Sequence, residues 1–532
     1  MVDGTGGLAV RRRPLGLVAV GLLLTVVLAA CNSTTRLAKD QQTTGVSASA
    51  GGGGAADTGA GSGAGSGSGS GPGTGTGSGS GGSGAASGLG SVSGPGSGSG
   101  AGLSGGGPSG PSASGGGPAP GAGSVTGSLS PNLKIGVVLM NYGAVGSTFG
   151  VKGLSTGSTK AQAQAVVDAL NAQGGIAGHK IVPVYVTVDI TNGTYSGQAQ
   201  ATCATLTEDN PVFAVVGASI DIFTLAACLG QHHTPLIPSP WVAASIGFMD
   251  DQAARQYSPY LYWPNLFNPA GYSVAVDKWV SDGFLTPASR IGIMRADQPP
   301  QQRVDDNVVR PRLAAHGLKV TDEVAVQVNN SVSDLGGPSA QASNAVLRFR
   351  SEGVDRVLWI PEGTGGEAFF FMPEAENQGY HPKYGVTSFL APYFLEANEP
   401  ATQLAGSEGI GWQPTVDTDP QHDPGPTPGR AACADIMHRA GQAFADRGVE
   451  NAAYSFCESF FFLRAALAGT TSPTPAALQA GSDALGATFP SVLTFGERFG
   501  PGRLAPVSAV RQLRFDNGCA CYQYFGPVLN AG

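Results

Sequence analysis

The sequence after residue 130 alternates between short apolar runs and segments with a helical repeat. The first apolar run is LKIGVVLM, residues 133–140, and it has no polar face, as is typical of a strand covered on both sides. Residues 158–173 then place apolar side chains at Ala163, Val166, Val167 and Leu170, which is the spacing of one helical face. Strand, helix and strand in succession indicate an α/β fold with a parallel sheet.

The alternation occurs in two rounds, separated by the segment YLYWPNLFNPAGYS. The first round contains the apolar runs KIVPVYVTV, PVFAVVG and TPLIPSP, and the second contains RIGIMRAD, VTDEVAVQV, RVLWIPE and YGVTSFL. Two rounds predict two doubly wound parallel-sheet lobes. After Pro392 the pattern breaks up into an extended segment GIGWQPT, a proline-rich loop, and helices near 430–446, 452–468 and 474–486.

The stretch NAQGGIAGHK joins the first predicted helix to the second strand. Gly174 is predicted to end the helix, because a left-handed residue there has no Cβ strain. We expect Gly174, Gly175 and Gly178 to shape this turn and to contact no ligand.

Many of the 83 glycines lie in a glycine- and serine-rich tract over about residues 50–128. Such a tract buries too little apolar surface to offset its ordering entropy, so residues 32–130 are predicted to form a disordered tether. The remaining chain, residues 131–532, is long enough for two lobes with separate cores.

Residues 1–31 have the order of a secretory signal: three arginines, a continuous apolar run, and small residues before Cys31. Leu28-Ala29-Ala30-Cys31 resembles the lipobox of bacterial lipoproteins, in which the cysteine becomes the lipid-modified N-terminus. The alternatives are an ordinary signal peptide or a membrane anchor with a chance cysteine. The sequence does not decide between general and twin-arginine export.

Charge and motifs exclude several functional classes. The net charge is −8 and charged residues make up only 12% of the chain, so no basic nucleic-acid surface is expected. The sequence contains no HExxH, GxSxG or GxxxxGK motif, and we predict no enzymatic activity, no cofactor and no metal. His232 and His233 are adjacent and therefore point to different faces, as expected of a turn.

Seven cysteines are present, and six remain when Cys31 is set aside. An even number in an exported protein favours disulfides, although spacing alone does not choose the pairs.

The order of KIGVVLM, NAQGGIAGHKI, FAVVGAS, TPLIPSP, YWPNLFNPAGY, RIGIMRAD and DRVLWIPE resembles the type I periplasmic substrate-binding proteins, in particular the leucine/isoleucine/valine-binding branch. RFDNGCACYQY resembles that family's closing hairpin. The resemblance implies two lobes that close on a small molecule and deliver it to an ABC-transporter permease. It also implies hinge crossings near 262–268, 404–414 and 495–505, with one lobe formed by 131–264 and 412–496 and the other by 265–411 and 497–532.

Ligands of open parallel sheets bind outside the carboxyl ends of the strands. The resemblance therefore implies a set of contacts from the first lobe, namely Tyr142, Ala218, Ser219, Asp221, Ser239 and Trp241. Asp221 would repel a ligand carboxylate, and ASIDIF and SPWVA replace the family's serine and threonine pattern, so an amino-acid ligand does not follow. The alternative role of Asp221 is a helix N-cap.

From the second lobe the resemblance implies contacts by Asp297, Glu362, Ser388 and Phe389. Glu362 suits a ligand amine or sugar-type hydroxyls, and its alternative is a solvated loop carboxylate. The aromatic candidates Tyr142, Trp241 and Phe389 have core packing as their alternative.

The resembling family has a disulfide near the position of Cys203 and Cys228. Cys433 and Cys457 lie on successive predicted helices and are expected to pair as well. Cys519 and Cys521 then remain, and their short spacing would close a strained ring. A structural disulfide is nevertheless the expected state of this pair. Metal or redox chemistry is the alternative, but no histidine is near in sequence.

The predicted function is therefore a monomeric solute-binding lipoprotein of an ABC transporter, anchored by lipid on the outer face of the cytoplasmic membrane. A ligand-sensing receptor of the same fold is an alternative, and a cell-envelope hydrolase is a more distant one.

Overall fold

The structure is a computed structural model that describes residues 131–140, 146, 150–189, 191–217, 221–239, 250–262, 268–328, 330–331, 334, 336–361, 366–503 and 505–531. The predicted signal peptide, Cys31 and the tether lie outside these residues. Among the described helices, none combines the length and the apolar character needed to cross a membrane.

The first sheet has the strand order β2-β1-β3-β4, and every pairing in it is parallel. Its strands are β1 Asn132–Met140, β2 Lys180–Val188, β3 Ala214–Gly217 and β4 Leu236–Pro238. Along β1, Ile135 and Val137 pack into one buried cluster and Val138 packs into another on the opposite face. Both faces of the strand are therefore covered, which explains its continuous apolar sequence.

The second sheet has seven strands in the order β11-β10-β9-β8-β7-β5-β6. Its strands are β5 Ile291–Ala296, β6 Val320–Val326, β7 Arg356–Ile360, β8 Lys383–Thr387, β9 Glu408–Gly411, β10 Ala509–Asp516 and β11 Cys521–Asn530. Strands β5 to β9 are parallel, whereas the C-terminal hairpin β10–β11 adds two antiparallel strands at one edge. The prediction of two doubly wound lobes is confirmed, with a mixed second sheet.

The helices mostly follow the predicted order. They are α1 Thr159–Ala172, α2 Tyr195–Ala204, α3 Ile222–Gln231, α4 Asp251–Tyr257, α5 Asn268–Ser281, α6 Pro299–Val304, α7 Arg310–Ala315, α8 Gly336–Ser351, α9 Gly366–Asn377, α10 Pro392–Asn398, α11 Ala401–Leu404, α12 Pro414–Asp417, α13 Pro428–Arg439, α14 Arg447–Ala466 and α15 Pro475–Ala484. Single π-helical turns cover Thr205–Asp209 and Asp305–Val309, and a 3₁₀ turn covers Ser388–Leu390. The α4 helix was not predicted, and α13 ends earlier than expected because Gly441 turns the chain with φ 68°.

The glycine turn between α1 and β2 uses left-handed backbone at Gly174, Gly175 and Gly178. A Cβ on Gly175 would lie 1.9 Å from the carbonyl oxygen of His179, so no other residue fits at that position. The glycines therefore set the reversal that starts β2, in agreement with the structural role predicted for them.

All three disulfides are formed in the structure, joining Cys203 to Cys228, Cys433 to Cys457, and Cys519 to Cys521. The first two join successive helices of the lobe built on the first sheet. The third closes within the turn that leads into β11.

The C-terminal helices α13 and α14 pack on the first sheet, although β5 to β9 precede them in the chain. The chain thus leaves the second sheet after β9 and returns to it before β10. The two passages are bonded to each other, since the Phe495 N–H donates to the Trp412 carbonyl at 3.3 Å. The chain crosses from the first sheet to the second earlier, in a segment that includes residues 263–267, which are not described, and the lobe boundaries remain predictions.

Candidate functional site at the carboxyl ends of the strands

Strands β3 and β4 end side by side in the first sheet. The backbone N–H of Ser239, just after β4, donates to the carbonyl oxygen of Gly217 at 2.8 Å. Ser239 is only 2% exposed, yet its hydroxyl has no hydrogen-bond partner among the described residues. A buried hydroxyl without a partner is unfavourable unless water or a ligand occupies the space next to it.

Asp221 caps helix α3. Its carboxylate accepts the backbone N–H of Thr224 at 3.0 Å and the hydroxyl of Thr224 at 2.8 Å. The structure therefore shows the capping role that was the alternative for this residue, and a ligand contact by Asp221 stays a prediction. Its predicted neighbours Ala218 and Ser219 lie outside the described residues, as do Tyr142, Trp241 and Glu362.

In the second lobe, Asp297 follows β5 and exposes 61% of its side chain, with Arg295 at 3.7 Å. Ser388 and Phe389 follow β8 but are buried. The Ser388 hydroxyl donates to Asp417 at 2.7 Å and accepts the Trp412 N–H at 2.8 Å. Ser388 and Phe389 thus pack inside the second lobe, and the ring centroids of Phe389 and Trp412 are 4.7 Å apart. The ligand contacts predicted for Ser388 and Phe389 stay predictions.

The cluster around Ser388 centres on Asp417, at the end of α12. Asp417 also accepts hydrogen bonds from the Tyr524 hydroxyl and the Gln413 N–H. Burial raises the pKa of Asp417 to about 7, although these hydrogen bonds act in the opposite direction. The cluster joins the end of β8, the passage after β9 and the C-terminal hairpin, so it stabilises the region where the chain passes between lobes.

Helix α14 carries a polar stripe on its buried surface, which the sequence analysis did not identify. The stripe consists of Asn451, Ser455 and Ser459, all at most 2% exposed and spaced one turn apart. Ser459 lies against β4, with its hydroxyl 3.5 Å from the Ile237 carbonyl, and Asn451 donates to the Thr415 carbonyl at 3.0 Å. The stripe therefore runs from β4, near Ser239, to helix α12.

The Ser455 hydroxyl and the Asn451 side-chain oxygen have no partner among the described residues. Thr156, whose segment lies along the start of α14, also has a buried hydroxyl without a hydrogen-bond partner among the described residues. In the second lobe, Gln301 at the start of α6 is fully buried and its side-chain oxygen also lacks a described partner. Together with Ser239, these buried, uncharged hydroxyl and amide groups without described partners are the candidate ligand-binding residues, and we call this set the polar wall.

Among the described residues, three polar contacts join the lobes away from the chain passages. Arg303 of α6 forms an ion pair and two hydrogen bonds with Asp250, which precedes α4. The backbone of Lys152 exchanges hydrogen bonds with the Asn398 side chain at 2.8 and 3.1 Å. The Tyr195 N–H donates to the Asn330 carbonyl at 2.9 Å. These contacts hold the lobes together, as expected of the closed form of a two-lobed protein.

We expect Arg303→Gln to weaken ligand binding about tenfold. Arg303 pairs across the lobes with an Asp250 side chain that is 7% exposed, so its loss destabilises the closed form and reduces the apparent affinity. Titration calorimetry with a bound solute measures the change. Arg312→Gln is the matched control, because Arg312 pairs with Asp277 inside the second lobe. Equal effects of both substitutions would show that the Arg303 pair has no special role in closure.

Two groups of possible metal ligands occur among the described residues, Cys203, Cys228 and His232 in one and His422, Cys519 and Cys521 in the other. In both groups the cysteines are joined as a disulfide. A disulfide sulfur lacks the thiolate charge that binds metals. Neither group is a metal site in this oxidised form.

Residues 133–518 match the family model described as periplasmic binding protein, and the chain belongs to that family. The family works outside the cytoplasm. No curated protein sequence matches the chain.

Solved structures with the same fold are distant in sequence. A possible leucine/isoleucine/valine-binding protein from Rhodopirellula baltica has a TM-score of 0.53 and 15% identity, covering 74% of this chain and 96% of that one. A solute-binding protein of an ABC transporter from Rhodopseudomonas palustris, in complex with p-hydroxybenzoic acid, has a TM-score of 0.52 and 15% identity, covering 75% and 97%. The substrate-binding protein LivJ from Streptococcus pneumoniae, in complex with isoleucine, has a TM-score of 0.50 and 15% identity, covering 75% and 99%. The fold is thus that of ABC-transporter solute-binding proteins.

Proposed function

We propose that the protein is a lipid-anchored solute-binding protein that captures a small polar molecule between its lobes and delivers it to an ABC-transporter permease. The observation that carries this proposal is the polar wall: buried hydroxyl and amide groups without described partners, among them Ser239 just after β4, in a family of periplasmic binding proteins. The lobes would close because both contact the same molecule, and the difference in affinity between open and closed forms drives closure.

The N-terminal features support attachment to the membrane. Cys31 would carry the lipid, and several acyl chains hold a protein on a membrane more firmly than one. A flexible tether of roughly 100 residues has a root-mean-square reach on the order of 50 Å. That reach lets an anchored binding domain search for a permease. Labelling with a radioactive fatty acid, lost in Cys31→Ser, tests the anchor.

The polar wall contains no charged residue, so we propose a ligand recognised mainly through hydroxyl, amide or carbonyl groups. Ser219 and Glu362, which lie outside the described residues, remain proposed further contacts. Neighbouring folds bind isoleucine and p-hydroxybenzoic acid, and both classes belong in the search. A thermal-shift screen of amino acids, amides, sugars, polyamines and aromatic acids tests the proposal, since a ligand at about 100 times its Kd stabilises by about 2.7 kcal/mol. Failure of every class to raise the melting temperature would contradict it.

We expect Ser455→Ala to weaken binding of the identified solute about threefold to tenfold, which corresponds to one neutral hydrogen bond. The melting temperature of the free protein should not fall, because the Ser455 hydroxyl loses no described partner. Ser491→Ala is the control. The Ser491 hydroxyl lies 3.0 Å from carboxylate oxygens of both Glu458 and Glu497, so its removal should lower the melting temperature and leave affinity unchanged. Unchanged affinity in Ser455→Ala would remove α14 from the site.

A further inference from the structure

A histidine from a distant part of the chain lies against the Cys519–Cys521 disulfide. The Nε2 atom of His422 is 3.7 Å from the Sγ atom of Cys521, although 99 residues separate them in sequence. The Gln523 side-chain amide lies 3.2 Å from the Cys519 sulfur and 3.5 Å from the Cys521 sulfur. Two hydrogen-bonding groups therefore face this disulfide.

His422 is held in a defined orientation. Its Nδ1 atom lies 2.9 and 3.0 Å from the two carboxylate oxygens of Asp419, so Nε2 is the nitrogen that faces the sulfur. Burial acts to raise the pKa of Asp419, but hydrogen bonds from the His422 side chain and backbone outweigh it and hold that pKa below its usual value. Asp419 is therefore a carboxylate at neutral pH, and it holds the imidazole of His422 through Nδ1.

The loop that carries His422 is fixed by buried arginines. Arg447 of α14 donates to the carbonyls of Thr418 and Asp419 at 3.1 and 2.9 Å, and it pairs with Asp423 at 2.8 Å. On the other side of the hairpin, Glu396 of α10 accepts the Tyr522 N–H at 2.8 Å. Burial raises the pKa of Glu396 to about 7. Arg447 thus holds the loop that carries His422, and Glu396 holds the strand that carries Cys521.

The two sulfurs of this disulfide differ in access. Cys519 lies in an exposed turn, whereas Cys521 is 2% exposed. The other disulfides offer less access, because Cys203, Cys433 and Cys457 are fully buried. His232 lies near the Cys203–Cys228 bond. In that bond Cys203 is fully buried and Cys228 is half-buried, so neither cysteine is exposed. Attack by an external thiolate is therefore favoured at the Cys519 sulfur.

We propose that Cys519–Cys521 is an exchange-active disulfide that reacts with the dithiol of an extracytoplasmic protein, with His422 assisting the departure of Cys521. One partner thiolate attacks the Cys519 sulfur, the Cys519–Cys521 bond breaks, and Cys521 leaves as a thiolate that receives a proton from His422. The second partner thiol then attacks the partner sulfur of the mixed disulfide and releases Cys519, which takes a proton from water. Two electrons pass to this protein, and the partner dithiol is oxidised to a disulfide.

The physical basis is the stability of the leaving group. A thiolate that is stabilised by a neighbouring cation or hydrogen-bond donor leaves faster in thiol–disulfide exchange. His422 and Gln523 both lie against the Cys521 sulfur and supply that stabilisation.

The test treats the folded full-length protein with dithiothreitol, blocks free thiols with N-ethylmaleimide, and follows alkylation by mass spectrometry. The tryptic peptide that follows Arg514 carries both Cys519 and Cys521. We expect this pair to become alkylated while Cys203–Cys228 and Cys433–Cys457 stay oxidised. His422→Asn should slow the reduction about tenfold. The matched control is His381→Asn, since His381 bonds to Glu376 in the second lobe.

The Cys433–Cys457 bond reports folding within the same sample, because it is buried in the core of the first lobe. A His422 variant that keeps this bond protected is folded, and His422→Gln serves if His422→Asn does not. Reduction of all three disulfides together, or wild-type reduction rates in a folded His422 variant, would overturn the proposal.

Discussion

The free energy of unfolding is expected to fall by at least about 2 kcal/mol between pH 5 and pH 8, because several carboxyl groups are buried with raised pKa values. Burial raises the pKa of Glu399 to about 8, and neither of its oxygens has a hydrogen-bond partner among the described residues. Glu396 and Asp417 are raised to about 7, again mainly by burial. These groups bind protons more tightly in the folded chain than in the unfolded chain.

The direction follows from proton linkage. A carboxyl group whose pKa is raised in the folded chain stabilises the folded state. This stabilisation is complete below the pKa in the unfolded chain, near 4, and is lost as the pH rises through the pKa in the folded chain. The window set by Glu396, Asp417 and Glu399 is therefore about pH 4 to 8. Asp277 affects stability in the opposite direction, because the hydrogen bond from Arg312 lowers its pKa to about 2. The ionised Asp277 stabilises the folded state, and this stabilisation is lost only in more acidic solution.

The pair Glu458 and Glu497 provides the sharpest test. Both are fully buried or nearly so, and the Ser491 hydroxyl lies between them. Burial and the neighbouring Glu458 carboxylate hold the pKa of Glu497 well above its usual range, so the pair keeps a proton at neutral pH. Glu497→Gln supplies a permanent N–H in place of that proton, and the fall in stability toward pH 8 should become shallower.

Urea unfolding at pH 5, 6, 7 and 8 measures these slopes. Glu352→Gln, which changes an exposed carboxylate, is the control and should retain the wild-type slope. Stability that rises from pH 5 to pH 8, or identical slopes in wild type and Glu497→Gln, would contradict the assignment.

Gly217→Ala is expected to lower the free energy of unfolding by about 3 kcal/mol. Gly217 ends β3 with φ 106°, and a Cβ there would lie 2.3 Å from the Val138 carbonyl oxygen of the neighbouring strand. Strand β1 must move to accommodate a methyl group, and the Ser239 N–H bond to Gly217 would be disturbed with it.

Gly283→Ala is the control that separates the backbone strain of a positive φ from the steric clash of the added methyl group. Gly283 also has positive φ, 77°, but no atom lies within 4 Å of its added Cβ. The control should therefore show backbone strain alone, about 1 kcal/mol. Thermal and urea unfolding of both variants give the comparison. If Gly217→Ala costs no more than Gly283→Ala, the close approach of β1 and β3 is not a constraint.

Much of the fold was predictable because its signals are local. The apolar run of β1 and the helical spacing in α1 act over a few residues, and each specifies one element regardless of the rest of the chain. The order of these elements then implied two doubly wound lobes, which the structure confirms. The antiparallel hairpin β10–β11 at the sheet edge was expected from the family resemblance of its sequence and not from apolar periodicity. Helix α4 is short and its sequence, DQAARQY, has no strong amphipathic repeat, so no local signal identified it.

The candidate site was less accessible to sequence reasoning. The strand-end rule pointed to Ser239, whose ligand contact stays a prediction, and also to Ser388 and Phe389, which lie in internal contacts. The rule identifies which residues follow a strand and not which way they face. Ser455 follows no strand and occurs within a helix that is buried almost throughout, so only its three-dimensional surroundings mark it as part of the polar wall.

The sequence by itself determined the two-lobed α/β architecture, the glycine turn before β2 and the presence of cysteines suited to disulfides, since each depends on neighbouring residues or on composition. Tertiary structure alone decided that Arg303 meets Asp250 across the lobes and that His422 meets Cys521. These pairs are 53 and 99 residues apart. Contacts at such separation depend on how the strands are ordered and where the chain passes between sheets, and no short-range pattern encodes that information.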